Sequence, residues 1–198
     1  MRKYSDSILT LASPDGLVEV LKNKNIILEI GSGNGIFLEH LAKSHPDKTI
    51  LGIELDVKRA RKSKRRIERS RFLNVFVVSG DATNIIPLFF PNHCVEKAFM
   101  NFPEPWGKEY QWRNRLYELG FMSMIDRITK VGGLFHLATD VEYIYDTINN
   151  ILCRVLGNWS LDEKKTVEFK DNFIPTLYYE KWKSEGRSFW WSVWMKRY

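Results

Sequence analysis

Asn101-Phe-Pro-Glu-Pro-Trp-Gly-Lys108 sets an amide, a carboxylate, an indole and an ammonium within one short stretch, directly after the mainly apolar run 95–100. Proline fixes its own φ and pushes the residue before it away from the helical region. Pro103 and Pro105 therefore carry the chain out of a strand as a stiff, extended loop, with Asn101, Glu104 and Trp106 at fixed places along it. Loops at the carboxyl ends of parallel strands are where open α/β sheets hold ligands. A second loop of this kind, Glu29-Ile-Gly-Ser-Gly-Asn-Gly35, leaves the apolar run 25–30. Two such loops imply two substrates and a group passed between them.

The earlier loop is rich in glycine, as many nucleotide-binding turns are. A dinucleotide fingerprint reads G-x-G-x-x-G and seats a pyrophosphate on a helix N-terminus. Counting from Gly31 and Gly33, the third glycine would fall on Ile36; it comes one place early, at Gly35. Glu29 also enters the turn. A carboxylate there repels a pyrophosphate and suits the ammonium and sulfonium cations of S-adenosylmethionine. Glu54 closes the next strand, where an acid can accept from both ribose hydroxyls, each charge-assisted bond contributing about 1.5–3 kcal/mol. NAD sites share that feature. Asp81, just past the third strand, is placed to accept from an adenine amine. Each acid alone reads equally as a loop cap. Three acids ending three successive strands around a glycine turn resemble the Rossmann-like S-adenosylmethionine methyltransferases.

These loops need a sheet to hold them, and the rest of the chain predicts one. Strands are expected at 25–30, 49–55, 74–78, 95–101 and 134–138, and helices at 14–22, 35–44, 83–90, 110–130 and 140–156, with the basic run 58–71 as a further helix. Ser13 would cap the first helix, Pro87 would end or distort the fourth, and Gly132-Gly133 would stop the long one. The aromatic stretches 159–169 and 188–195 read as an antiparallel pair at the edge. The expected fold is α/β: a doubly wound, Rossmann-like sheet of about seven strands, mostly parallel. A single domain spans 1–198, with a short helical segment over 1–24.

Residues 58–71 carry nine basic side chains (Lys58, Arg59, Arg61, Lys62, Lys64, Arg65, Arg66, Arg69, Arg71) against Glu68 alone, a net +8 in a chain whose total is +6. That is denser than solubility requires, and a patch of one sign concentrates polyanions. Nucleic acid is the expected partner. Cys94 and Cys153 are too few for a disulfide framework, and His40, His45, His93 and His136 form no metal-spaced cluster with them. No apolar run approaches the roughly 20 residues of a membrane helix, and the opening residues lack the apolar core of a signal peptide. A reduced, cytoplasmic, metal-free protein is expected, and nothing calls for an obligate protein partner.

Asn101-Phe-Pro-Glu-Pro-Trp, in its longer form N-F-P-[D/E]-P-W-x-K, resembles the tRNA (guanine-N7-)-methyltransferase family. Glu29-Ile-Gly, Gly52-Ile-Glu54, Gly80-Asp-Ala, Ala138-Thr-Asp140 and Thr176-Leu-Tyr-Tyr-Glu180-Lys match in order, over about residues 25–195. The resemblance implies methyl transfer from S-adenosylmethionine, leaving S-adenosylhomocysteine, to N7 of a guanine in the variable loop of tRNA. It implies cofactor contacts at Glu29, Gly31, Gly33, Glu54, Asp81 and Glu104, with Glu104 also catalytic. It implies tRNA contacts at Lys108, Asp140, Thr176 and Tyr179. Glu104 stands where the family usually has aspartate, Tyr179 where it has a late glutamate, and after Trp106 only Lys108, Arg113 and Arg115 keep the basic character. Trp106 either stacks on RNA or packs beneath its loop, and Asp140 also reads as a helix cap. Two other functions fit the residues: an amino-methyltransferase acting on an exocyclic amine, and an RNA-binding module that has lost activity.

Overall fold

The structure, a computed structural model, describes residues 8–10, 14–22, 25–109 and 115–198. Its centre is the strand β2 (Ile26–Ile30), five residues all buried. A strand covered on both faces reads as a continuous apolar run, and this one is interrupted only by Glu29. Neighbouring side chains point to opposite faces: Ile26, Leu28 and Ile30 join one core and Ile27 the other.

Beside β2 lie β3 (Thr49–Glu54), β4 (Val75–Ser79), β5 (Val95–Asn101) and β6 (Thr129–Thr139). β1 (Ile8–Thr10), β7 (Trp159–Leu161) and β8 (Trp190–Lys196) complete an eight-stranded sheet of order β1-β4-β3-β2-β5-β6-β8-β7. β1 to β6 run parallel, while β8 is antiparallel to both β6 and β7. The helices α1 (Pro14–Leu21), α4 (Ala82–Phe89), α5 (Leu119–Ile128) and α6 (Glu142–Asn150) pack on one face. The other face is covered by α2 (Ile36–Ser44), α3 (Val57–Ser70) and the aromatic side of α7 (Glu163–Asp171). A last helix, α8 (Leu177–Ser184), precedes β8.

β2 pairs with β3 on one side and β5 on the other. The strand order reverses there, and the crevice above such a reversal is where doubly wound sheets bind ligands. Both chemistry-bearing loops open into it.

Four expectations are corrected. Ser13 lies outside the described residues, and the short N-terminal segment adds the edge strand β1 to its helix. The helix expected over 110–130 spans only Leu119–Ile128, with 110–114 outside the described residues. Gly132-Gly133 does not end it: β6 already starts at Thr129, and the β5–β6 register jumps from Val95↔Thr129 to Lys97↔Leu134. The glycines form that bulge. Gly132 has φ 75°, and a Cβ on Gly133 would sit 2.8 Å from the Lys130 carbonyl and 3.0 Å from that of Glu96. Finally, the strand expected over 159–169 stops at Leu161. Asp162 accepts from the Lys165 amide at 2.9 Å and caps α7, so local capping overrides β-prone composition. Pro87 sits inside α4, which ends two residues later.

Candidate active site

The glycine loop gets its shape from backbone. Gly31, Gly33 and Gly35 have φ of 77°, 56° and 78°, in the left-handed region that glycine enters freely. A Cβ on Gly35 would overlap the Ser63 hydroxyl, so the same residue lets α2 and α3 close on each other. The amides of Gly31 and Ser32 donate to the Ile53 carbonyl at 2.8 and 3.1 Å, continuing the β2–β3 ladder into the turn. Glu54, at the end of β3, ties the turn down. Its carboxylate accepts from the Gly33 amide at 2.6 Å and from the Asp56 amide at 2.8 Å.

Glu29 faces β5. Asn101 Nδ2 donates to Glu29 Oε1 at 3.3 Å, which joins the two loops at the switch point. Glu29 is buried, and burial pushes its carboxyl up to about 8, helped by the nearby charge of Glu54 and opposed by the Asn101 bond. Glu29 Oε2, Asn101 Oδ1 and Ser32 Oγ are buried without a hydrogen-bond partner. Buried polar atoms are nearly always paired. Three of them around one crevice mark a place for a polar ligand. Asp81 caps α4, its Oδ1 accepting from the Thr83 amide and hydroxyl at 2.8 and 2.7 Å.

The acceptor loop gets its shape from side chains. Phe102 and Trp106 have φ of 54° and 42°, costly for residues with a Cβ, at about 1–3 kcal/mol each. Three hydrogen bonds and an aromatic cluster hold them there. The Pro105 carbonyl accepts from the hydroxyls of Tyr117 and Tyr143 at 2.7 and 3.3 Å, and the Trp106 carbonyl from Arg115 Nε at 3.3 Å. The Phe102 ring packs against Phe173, Tyr179 and Phe189. Glu104, half-exposed, lies 3.6 Å from Arg59.

One cleft of about 290 Å³ collects most of the expected residues: Glu29, Gly31, Gly33, Glu54, Asp81, Glu104 and Thr176 line it, as does Trp106. Trp106 therefore faces the cleft rather than lying beneath its loop. Thr176 also caps α8, accepting from the Tyr179 amide at 3.2 Å. Three expected residues stand apart from the lining. Tyr179 packs into the aromatic cluster with Phe102, Phe173, Phe189 and Trp191, and its neighbour Tyr178 reaches the cleft instead. Asp140 accepts from Arg187 at 2.6 Å and does not cap α6, which starts after Val141. Lys108 is exposed. Arg113 lies outside the described residues, and Arg115 is engaged with Trp106 and Glu118.

The family described as "Putative methyltransferase" matches residues 23–191. A protein of Thermotoga maritima named tRNA (guanine-N(7)-)-methyltransferase is 32% identical over 170 residues, 84% of this chain and 52% of that protein. A protein of the same name from Clostridioides difficile is 31% identical over 169 residues, 83% of this chain and 78% of the relative. The chain belongs to the tRNA (guanine-N(7)-)-methyltransferase family. It spans about half the length of the Thermotoga relative. Among solved structures, one titled "Structure of an Antibiotic Related Methyltransferase" superposes with a TM-score of 0.60 at 16% identity, over 93% of this chain and 94% of that one. That likeness concerns the fold.

In this family member, sequence reasoning missed Arg59 and Tyr178, which reach the cleft from α3 and α8. Arg59 was hidden among eight other basic residues. Its signal was position: the first turn after a strand whose end holds Glu54. Among the described residues no helix is long and apolar enough to cross a membrane, and no cluster of histidine, cysteine and carboxylates could hold a metal.

Proposed function

We propose that this chain transfers the methyl group of S-adenosylmethionine to N7 of a guanine in tRNA. The observation that carries the reading is the joining of the two loops at the switch point, with Asn101 bonded to Glu29 and one polar atom on each of Glu29, Asn101 and Ser32 left unpartnered. The lining of the cleft fits the cofactor: an anionic Glu29 would hold an ammonium, and the Glu54 carboxylate would accept from a ribose. S-adenosylmethionine supplies a methyl group on a positively charged sulfur, open to in-line attack. Guanine N7 carries a lone pair and no proton, so no residue of the chain has to act as a base. The work left to the residues is alignment, and effective molarities for well-aligned groups reach the order of 10⁵–10⁸ M. The stiffened acceptor loop does this. Glu104 at its crest would hold the guanine or the donor's amine and stabilise the positive charge growing on the base.

Exposed Arg61, Lys62, Arg65 and Arg69 on α3 supply cations for phosphate contacts, and Lys62 lines the cleft itself. A cytoplasmic site of action belongs to the same reading. The test uses tRNA incubated with the protein and methyl donor, then borohydride reduction and aniline cleavage, which cut the chain at N7-methylguanosine. New cleavage at one guanosine is expected, and Glu104→Gln should lose most of it with little change in Tm, whereas Glu104→Asp keeps it. Methyl incorporation without cleavage would assign an exocyclic amine instead. No donor binding by calorimetry and no incorporation would leave an RNA-binding module.

A further inference from the structure

The eight cations of α3 look alike in sequence and differ in what they touch. Arg66 is committed to Glu39 at 3.1 Å and to the Asn34 carbonyl at 3.2 Å, within the packing of α2 on α3. Arg61, Lys62, Arg65 and Arg69 are exposed. Arg59 does neither. It follows the Asp56 cap of α3, and its side chain turns along the cleft. One guanidinium nitrogen donates to the Tyr178 hydroxyl at 2.9 Å, and the other lies 3.6 Å from Glu104 Oε1. These partners come from α8 and the acceptor loop, so three walls of the cleft meet at one side chain.

We propose that Arg59 is a positioning residue for methyl transfer, fixing the Glu104 carboxylate at the mouth of the cleft and tying α8 across it. The proposal rests on the methyltransferase reading above. An exposed ion pair contributes little to stability, about 0–1 kcal/mol, and both partners here are roughly 40% exposed or more. The pair is therefore poorly explained as a stabilising contact. What it does change is freedom. Glu104 has three rotatable side-chain bonds on a loop whose backbone is otherwise stiff, and a cation beside it narrows where the carboxylate points. Misplacing a reacting group by about 1 Å can lower a rate by about 10²-fold. Arginine suits the task because its planar fork serves two partners at once, which an ammonium on a flexible stem does poorly. α8 is held on one side by Tyr179 in the aromatic cluster, and the Arg59 bond to the neighbouring Tyr178 adds a hold on the side that faces the cleft.

The test compares wild type, Arg59→Gln, Arg59→Lys, Glu104→Gln and the double variant Arg59→Gln/Glu104→Gln, all as the full chain. Each is assayed for kcat and KM with tRNA, for donor affinity by calorimetry, and for Tm. Arg59→Gln should lower kcat about tenfold or more, with tRNA KM and donor Kd changed by less than about threefold and Tm nearly unmoved. Arg59→Lys should recover part of the loss, and in the Glu104→Gln background Arg59→Gln should add almost nothing. A raised tRNA KM and a flatter salt dependence with kcat intact would make Arg59 one more phosphate contact and overturn the proposal. Full additivity with Glu104→Gln would overturn it too. An active wild type with an unaffected Arg59→Gln defeats this proposal alone, whereas an inactive wild type defeats the methyltransfer reading and this proposal with it.

Discussion

The glycine loop and the acceptor loop leave adjacent parallel strands at the same end of the sheet, yet they are shaped by opposite means. Residues 31–35 reach positive φ with glycine, at no steric cost, and are held by backbone amides on the Ile53 carbonyl and the Glu54 carboxylate. Residues 101–108 reach positive φ at Phe102 and Trp106, against their preference, and are held by two tyrosine hydroxyls, an arginine and an aromatic cluster. In the proposed reading the first loop uses bare backbone so that a ligand can come close. The second displays side chains, so Phe102 and Trp106 take their conformation without glycine and are braced from outside. A loop that recognises with backbone is written locally; one that recognises with side chains depends on distant residues.

The comparison predicts where each loop breaks. The largest effect should come from Glu54→Ala, which removes the acceptor of the Gly33 amide and of the proposed ribose hydroxyls together. Donor affinity should fall by about 2–4 kcal/mol, read by calorimetry, with the fold retained. Unchanged affinity would separate Glu54 from the ligand.

Next comes the brace. Tyr117→Phe combined with Tyr143→Phe leaves the Pro105 carbonyl without its two donors and should cost about 1–2 kcal/mol, a drop of roughly 2–8 °C in Tm for a chain of this size. Methyl transfer should fall while donor affinity holds. Equal loss of donor affinity would mean the two loops are not independently supported.

The smallest effect, and the most diagnostic for the first loop, is pH. The Glu29 carboxyl titrates near 8 in the ligand-free protein because it is buried. A raised folded value means its contribution to the ligand-free fold is fully present below the ordinary carboxyl range and is lost as pH rises through about 8. A cationic donor favours the ionised form, so binding should release a proton. Affinity should strengthen by up to about tenfold per unit as pH rises toward 8, then level off. Calorimetry at several pH values, in buffers of different ionisation enthalpy, measures both. A flat profile without proton release would remove Glu29 from the cation's surroundings.

The same contrast explains what the sequence made legible. The order of strands and helices from residue 25 to 156 was readable because each buried strand is a short apolar run and each helix carries its own period. The glycine loop and its acids were readable because their spacing is local. Tyr117, Tyr143 and Arg115 were invisible as supports, since nothing in their spacing says that they end on the carbonyls of Pro105 and Trp106. Tyr178 and Tyr179 differ only by which side of α8 they occupy, and the reading chose the one that packs. Gly132-Gly133 looked like a helix stop because the same residue that ends a helix also makes a bulge. Asp162 was a cap set within an aromatic, β-prone stretch, and the cap decided.

The chain between Leu161 and Trp190 has a different kind of consequence. β7 and β8 are neighbours in one antiparallel ladder, with Leu161 opposite Trp194, and a short turn would suffice to join them. Residues 162–189 instead travel out, form α7 and α8, deliver Thr176, Leu177 and Tyr178 to the cleft, and return. Closing a longer connection is entropically cheap, about 0.6 kcal/mol for each doubling of length. The excursion is nonetheless tied to the fold: Phe169 and Phe173 pack on the second core, and Phe173, Tyr179 and Phe189 hold the Phe102 ring of the acceptor loop. In the proposed reading one wall of the donor's cleft is thus supplied by a segment that the ladder itself does not need, and that segment also braces the loop on the acceptor side.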